Sequence, residues 1–303
     1  MVSGVYSQAC FPQDALTENS LDICSKSGNK AHFTEVVNPS FIDDFQLLLQ
    51  KIVSFWKEQK ISESYMIIGQ DQLQKNEKAF TFQAVPYQKA STWIGRFWQQ
   101  FLVLWRFTFG GFHLTSGRVR DLTHIYHDGL NHTIAQTATS VEAISNCAFC
   151  RKETIDSQLV LDGNKVQVLY NYAPLGFGGE KLHFLVIPKE HRPTFEHLTQ
   201  EEHREAFAIS KFVVERLQAH FQTQGESLQK LYIYHKTGAE AGQSVRHWHL
   251  HLVLTQHAAQ DFWGRLTVLR NMILGAIFSF RLSSAKLAEQ KKKYTQILSN
   301  ESL

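Results

Sequence analysis

Residues 242–254, Gly-Gln-Ser-Val-Arg-His-Trp-His-Leu-His-Leu-Val-Leu, constrain the chain more than any other stretch. Three histidines alternate with apolar residues behind a small polar turn. Strict alternation predicts a half-buried β-strand, with every second side chain on the same face. His247, His249 and His251 then share one face, while Trp248, Leu250 and Leu252 pack on a core from the other. Three alternating imidazoles make a poor solvent face, and a costly buried one unless they are hydrogen-bonded or liganded. Imidazole is also a nucleophile and proton carrier near neutral pH. A row of three supplies a nucleophile, an orienting partner and an acid. The Gly-Gln-Ser turn can aim backbone N–H groups and a hydroxyl at an anion. A nucleophile beside an anion cradle points to phosphoryl or nucleotidyl transfer.

This stretch resembles the signature of the histidine triad (HIT) superfamily, in which His-φ-His-φ-His-φ-φ (φ, an apolar residue) follows a Gly-Gln-Ser/Thr turn. A second family element, His-x-φ-φ-φ-Pro-Lys-x-His, is matched by His183-Phe184-Leu185-Val186-Ile187-Pro188-Lys189-Glu190-His191. The two motifs stand in the family's order, and the resemblance covers about residues 147–255.

With 303 residues the chain holds one large or two ordinary domains. Apolar residues make up 43% and charged ones 19%, so a core can form. A net charge of +3 is too mild to argue for nucleic acid. The start, Met1-Val2-Ser3-Gly4-Val5-Tyr6, lacks the basic and apolar regions of a secretory signal. Four cysteines, Cys10, Cys24, Cys147 and Cys150, are too sparse for a disulfide framework, so a reducing, cytoplasmic location is expected.

Residues 1–32 read as loop with at most a short strand. Apolar residues from Phe41 to Trp56 recur every three and four positions and predict a helix. Strands are expected at 65–68 and 79–85. Trp93 to Phe107 is the most apolar run, but Arg96, Gln99, Gln100 and Arg106 interrupt it. A bilayer span needs about 20 apolar residues. A buried or interfacial helix fits better, and no transmembrane segment is expected.

That run also reveals a repeat. Trp93-Ile94-Gly95-Arg96 recurs as Phe262-Trp263-Gly264-Arg265, an offset of 264 − 95 = 169. With one gap, 112–116 aligns with 280–284. Carried back, the offset sets Lys78 on His247, Phe80 on His249 and Phe82 on His251, and Ala31-His32-Phe33 weakly echoes Leu182-His183-Phe184. The N-terminal half therefore reads as a second copy without its triad. Double copies resemble the galactose-1-phosphate uridylyltransferase branch, although there the first half carries the chemistry. Three parts are expected: a degenerate half over 1–117, a connector over 118–146, and the active half with a C-terminal apolar helix over 147–303. His124, His127 and His132 make a metal site in the connector conceivable, but polar histidines in a loop are the better reading.

Cys147 and Cys150, with two residues between them, fit one edge of a tetrahedral metal, and two buried free thiols are the alternative. Family members with Cys-x-x-Cys here are zinc proteins. The resemblance supplies His191 and His247 as the other ligands, which would make His247 structural rather than a proton carrier. Strands follow at about 157–161, 165–172 and 181–187. The resemblance makes Asn171 a ribose ligand, while the bland alternative is an Asn capping a turn. The loop 173–180 is longer than in compact members and borders the pocket. His183 carries over as a fourth active-site histidine; taken alone it would be a core residue. Thr199-Gln200-Glu201-Glu202 predicts a capping box opening a helix to about Gln222. A strand at 231–235 follows. Where the family has a phosphate-touching Asn, this chain has His235. The Lys291-Lys292-Lys293 run near the end reads as a solvated face.

The expected fold is α+β: an antiparallel sheet with packed helices, present twice, the N-terminal copy degenerate. In the resemblance His249 attacks the α-phosphorus of a nucleotide derivative. His251 and Ser244 hold the phosphate or pass a proton, and Gln243 and the turn backbone at Val245 stabilise charge. Zinc is structural, and the chemistry itself needs no metal. The leading expectation is a hydrolase of phosphoramidates, acyl-nucleotides or dinucleoside polyphosphates. A nucleotidyltransferase or phosphorylase and a weakly active nucleotide-binding scaffold are the alternatives. The partners expected are a nucleotide substrate and an intramolecular pseudo-dimer, with room for further self-association.

Overall fold

The computed structural model describes residues 2–3, 7–12, 14–26, 31–74, 80–135, 146–176, 179–256, 263, 265–267, 269–271, 273 and 281–299. The first half contains β1 (Val2–Ser3), β2 (Ser7–Cys10), β3 (Asp14–Ala15), β4 (Leu21–Ser25), α1 (Phe33–Val36), α2 (Pro39–Glu58), β5 (Ser64–Gln72), β6 (Thr81–Tyr87), α3 (Trp93–Phe109), β7 (Phe112–His113) and α4 (Ser116–His132). The second contains α5 (Lys152–Gln158), β8 (Leu159–Asp162), β9 (Val166–Tyr170), β10 (Leu182–Pro188), α6 (Gln200–Thr223), β11 (Lys230–Thr237), β12 (Leu250–Thr255) and α7 (Ser284–Ser299).

Ten strands form one sheet in the order β1-β2-β4-β6-β5-β11-β12-β10-β9-β8. All its pairings are antiparallel. Read outward from the central β5–β11 seam, both halves run in the same order, and each inserts its long helix before the seam strand. The seam runs from Tyr65 opposite Thr237 to Gln72 opposite Lys230. The expected α+β antiparallel platform is therefore present and continuous.

The long helices begin where the sequence supplies caps. The Asn38 side chain accepts the Phe41 N–H at 3.0 Å, with Pro39 just inside the helix. At α6 the Thr199 hydroxyl accepts the Glu202 N–H at 3.1 Å, and the Glu202 carboxylate accepts the Thr199 N–H at 2.8 Å. Both helices lie on one face of the sheet. Phe45 meets Phe207 at 5.7 Å between ring centroids and Phe82 at 4.8 Å, so the core crosses the seam. Trp248, Leu250, Leu252 and Leu254 belong to the same core. The opposite face gathers Met66, Ile68, Val85, Tyr87, Tyr232, Tyr234 and Val253, with Val103 of α3 over them. No helix among the described residues is long and apolar enough to cross a membrane.

Four expectations need correction. Residues 1–32 hold four short strands rather than loop. Much of the expected connector is helix α4, because Leu122, Tyr126 and Leu130 recur every four residues and are buried. The Tyr126 hydroxyl accepts the Trp56 indole N–H at 2.8 Å, and His124, His127 and His132 lie on the exposed side. Ala31-His32-Phe33 leads into α1, so it does not match the β10 residues 182–184; strand order gives that place to β4. Finally, Phe80 and Phe82 do not occupy the triad positions. Both point into the helix-side core, with Phe82 5.8 Å from Phe207, whereas His249 and His251 use the other face. A slip of one residue reverses every side chain in a strand, so the offset of 169 fails by parity in β6. Lys78, Phe262, Gly264 and Phe280 of the sequence repeat lie outside the described residues.

Candidate active site

The histidine row is carried by β12 and the segment just before it. His247 lies in the turn and His249 in the extended approach, so the strand proper starts one residue later, at Leu250. The approach is pinned by the Trp248 N–H, which donates to the Arg192 carbonyl at 2.5 Å, and by the burial of the Trp248 ring. Alternation holds throughout, and His249 and His251 face away from α2 and α6.

Hydrogen bonds assign the ring protons. His249 Nδ1 lies 2.7 Å from the His247 carbonyl oxygen, which only accepts, so Nδ1–H donates and Nε2 is left bare. The Leu175 N–H donates to His183 Nδ1 at 3.0 Å, which puts the other proton on His183 Nε2. That N–H donates to His251 Nδ1 at 2.9 Å, leaving His251 with a proton on Nε2. Tyr234 stacks on His251 at 4.2 Å and 12°, and Phe149 meets the edge of His249 at 5.3 Å. Burial pushes His249 down to about 4 and His183 down to about 3, and holds His251 well below the usual imidazole range. All three rings are neutral at neutral pH, and one of them presents a free nucleophilic nitrogen.

The other expected ligands are placed with less freedom. Asn171 is buried; its Oδ1 accepts the Ala173 N–H at 3.1 Å and its Nδ2 lies 3.2 Å from the His183 ring. It caps a turn and braces His183. The Gln243 amide is committed to the loop: Oε1 accepts the Gly238 N–H and Nε2 donates to the Pro193 carbonyl, both at 2.9 Å. Gly242, with φ 82°, makes the left-handed turn that brings Gln243 there. Ser244 is exposed, and Val245 packs against the cluster around Phe149.

His235 is not in the site. It is buried on the helix side, stacked on Phe195 at 5.6 Å and 5.7 Å from Trp248, and neither ring nitrogen has a hydrogen-bond partner among the described residues. Lys236, the next residue, faces the triad, 5.9 Å from the Tyr234 ring, and its charge acts on both His249 and His251. Alternation in Leu231-Tyr232-Ile233-Tyr234-His235-Lys236 already contained this answer. Leu231 and Ile233 face the core, so His235 does too.

Cys147 and Cys150 of one turn, His191 and His247 come together from three separate places, with their ligand atoms within 4.8 Å of one another. Cys147 Sγ lies 3.4 Å from His247 Nδ1, and Cys150 Sγ lies 3.3 Å from His191 Nδ1 and 3.6 Å from His247 Nδ1. A tetrahedral zinc with ordinary bond lengths sets sulfur and nitrogen ligands about 3.6 Å apart. His247 Nε2–H donates to the Pro188 carbonyl at 3.0 Å, which leaves Nδ1 bare for a metal. The donor set and spacing fit a metal ion. Among the described residues this is the one such group.

Comparison with known proteins gives the same region a family. The model of the HIT domain matches residues 152–258. Among solved structures, the chain is similar to an ADP-glucose phosphorylase from Arabidopsis thaliana with bound ADP-glucose, at 12% identity over 94% of this chain and 74% of that one, TM-score 0.46. It is similar to a GalT-like protein from Arabidopsis thaliana, at 14% identity over 83% and 74%, TM-score 0.47. A uridylyltransferase gives 13% identity over 97% and 86%, TM-score 0.48. The search among curated proteins returned no match. Residues 152–258, which carry the histidine row, therefore match the HIT domain.

Proposed function

We propose that this protein is an enzyme that binds a nucleotide derivative and cleaves it at the α-phosphate, by way of a nucleotidyl group on His249. The observation that carries this reading is the bond from His249 Nδ1 to the His247 carbonyl, which frees Nε2 as a neutral nucleophile. Nε2 attacks the α-phosphorus and forms the N–P bond. The bond to the leaving group breaks, and the leaving group takes the electron pair and a proton from solvent, while the His251 Nε2–H donates to a phosphate oxygen. Water then attacks phosphorus, the N–P electrons return to Nε2, and the water's proton passes to solvent. His183 holds the His251 tautomer through the bond at 2.9 Å. Lys236 draws the phosphate to this face, and the backbone around Ser244 and Val245 meets its oxygens. Gln243 and Asn171 act as positioning residues.

Cys147, Cys150, His191 and His247 would hold one zinc ion. In that closed site zinc supplies a crosslink rather than a Lewis acid, and it fixes the residue two positions before the nucleophile. The domain division follows the seam, with one half ending in α4 and the other starting at the Cys147 turn.

A second reading is transfer to an acceptor other than water. It is favoured by the fusion of two halves into one sheet bearing one triad. Product analysis with water, inorganic phosphate or a sugar phosphate as acceptor separates the two. In either case His249→Ala is expected to lower turnover by about four orders of magnitude or more while the fold persists. Near wild-type turnover in that variant would exclude the proposed nucleophile.

A further inference from the structure

Helix α3 is built inside out. Trp93 is 74% exposed, Ile94 60%, Trp98 56% and Trp105 40%. Its polar residues instead turn towards the protein. Arg96 donates to the Glu240 carboxylate at 3.1 Å, Gln100 to the Glu240 carbonyl at 2.9 Å, and Arg106 to the Leu16 carbonyl at 2.7 Å. A surface helix in water has the opposite arrangement, with apolar residues inward and polar residues outward. The outer face is also continuous. Trp98 stacks on Phe101 at 5.1 Å, and Trp105 meets Phe101 at 6.0 Å and Phe109 at 4.6 Å. The buried helix that the sequence allowed does not occur, since of α3 only Val103 is fully buried.

Charge identifies the cover. Residues 78–120 contain no Asp or Glu. Of their basic residues Arg96 and Arg118 pair with Glu240 and Glu18 and Arg106 turns inward, while Lys89 and Arg120 are exposed. The related run 262–288 contains no acid and carries Arg265, Arg270, Arg281 and Lys286, and its Trp263 is 71% exposed. A second copy docked through α3 would bring two segments without acidic residues of their own face to face, with Lys89 and Arg120 exposed on each. An anionic lipid surface supplies both the missing charge and an apolar layer. Tryptophan and phenylalanine backed by Arg and Lys are what such an interface selects.

We propose that α3 is a membrane-docking helix, which lies in the plane of an anionic bilayer surface with its aromatic face in the headgroup–acyl boundary. Arg96 and Gln100 clamp it to Glu240, two residues before Gly242, so the docked face borders the loop that leads into the triad.

The test is flotation of the full chain with vesicles of phosphatidylcholine, with and without phosphatidylglycerol, beside the variant Trp93→Glu/Trp98→Glu. Wild type is expected to float with the anionic vesicles and to do so about tenfold less with phosphatidylcholine alone. The variant is expected to lose about tenfold of the anionic binding while keeping the wild-type melting temperature. Should the variant misfold, quenching of wild-type tryptophan emission by brominated lipid reads the same contact without a substitution. Wild type that neither floats nor is quenched would overturn the proposal. So would equal binding to both vesicles, undiminished binding of a folded variant, or a lipid-free dimer that the double substitution splits into monomers.

Discussion

The two halves of the sheet share a strand order but not a chemistry, and the face turned away from α2 and α6 holds the difference. In the second half this face carries His183, Lys236, His249 and His251. In the first half it carries Met66, Ile68, Gln83 and Val85. The helix-side faces remain alike: Phe80, just before β6, and Phe82 and Ala84 within it do what Trp248, Leu250 and Leu252 do at β12. Core residues on both sides of the seam are locked by packing at interior density, whereas residues on the site face answer to a ligand. The fold of a half therefore does without the histidines at little cost, and it cannot do without the phenylalanines.

This contrast can be broken experimentally. The largest expected effect on stability comes from the metal group, which exists in the second half alone among the described residues. Protein purified without chelator should hold about one zinc per chain. Cys147→Ser with Cys150→Ser should abolish the zinc and cost more than about 5 kcal/mol of stability. Metal analysis showing no zinc in the wild type would remove the crosslink from the account. A smaller effect is expected from Phe82→Ala, which empties a core site touching Phe45 and Phe207 and should cost about 3–5 kcal/mol in denaturant unfolding. A loss near zero would mean that Phe82 is not in the shared core and that the parity argument is wrong. The smallest is Gln83→Ala on the opposite face. Gln83 donates to Asp22 at 2.9 Å, and its removal should cost about 1 kcal/mol. It should leave turnover unchanged, since the proposed reaction uses residues of the second half alone.

Much of the site was legible because it is written locally. The alternation of His247, His249 and His251, the turn before them and the capping box at Thr199 are short-range patterns with short-range causes. The metal group was legible for another reason: paired cysteines are rare, and the resemblance supplied His191 and His247. Phase was harder to read. The repeat was visible in Gly-Arg and aromatic residues, but sequence offset does not preserve strand parity across loops of different length, so Phe82 was set on the wrong face. His235 fell to the same error in a strand whose alternation pointed to Lys236. Helix α4 was hidden because its histidines drew attention from Leu122, Tyr126 and Leu130. The local roles of Asn171 and Gln243 were not legible, because their hydrogen bonds to Ala173, Gly238 and Pro193 depend on loop geometry that spacing does not contain. The exposure of α3 was the least legible, since an apolar run reads as buried unless something outside the chain covers it.

The most direct test of the central claim is the mass of the covalent intermediate. Enzyme mixed with a dinucleoside polyphosphate or nucleoside phosphoramidate, quenched in alkali during turnover and digested, should carry one nucleotidyl group on the peptide containing His249. No such group should appear on the peptide containing Gln83, and none should form in His249→Ala. Turnover without any adduct on His249, or an adduct on another residue, would contradict the account.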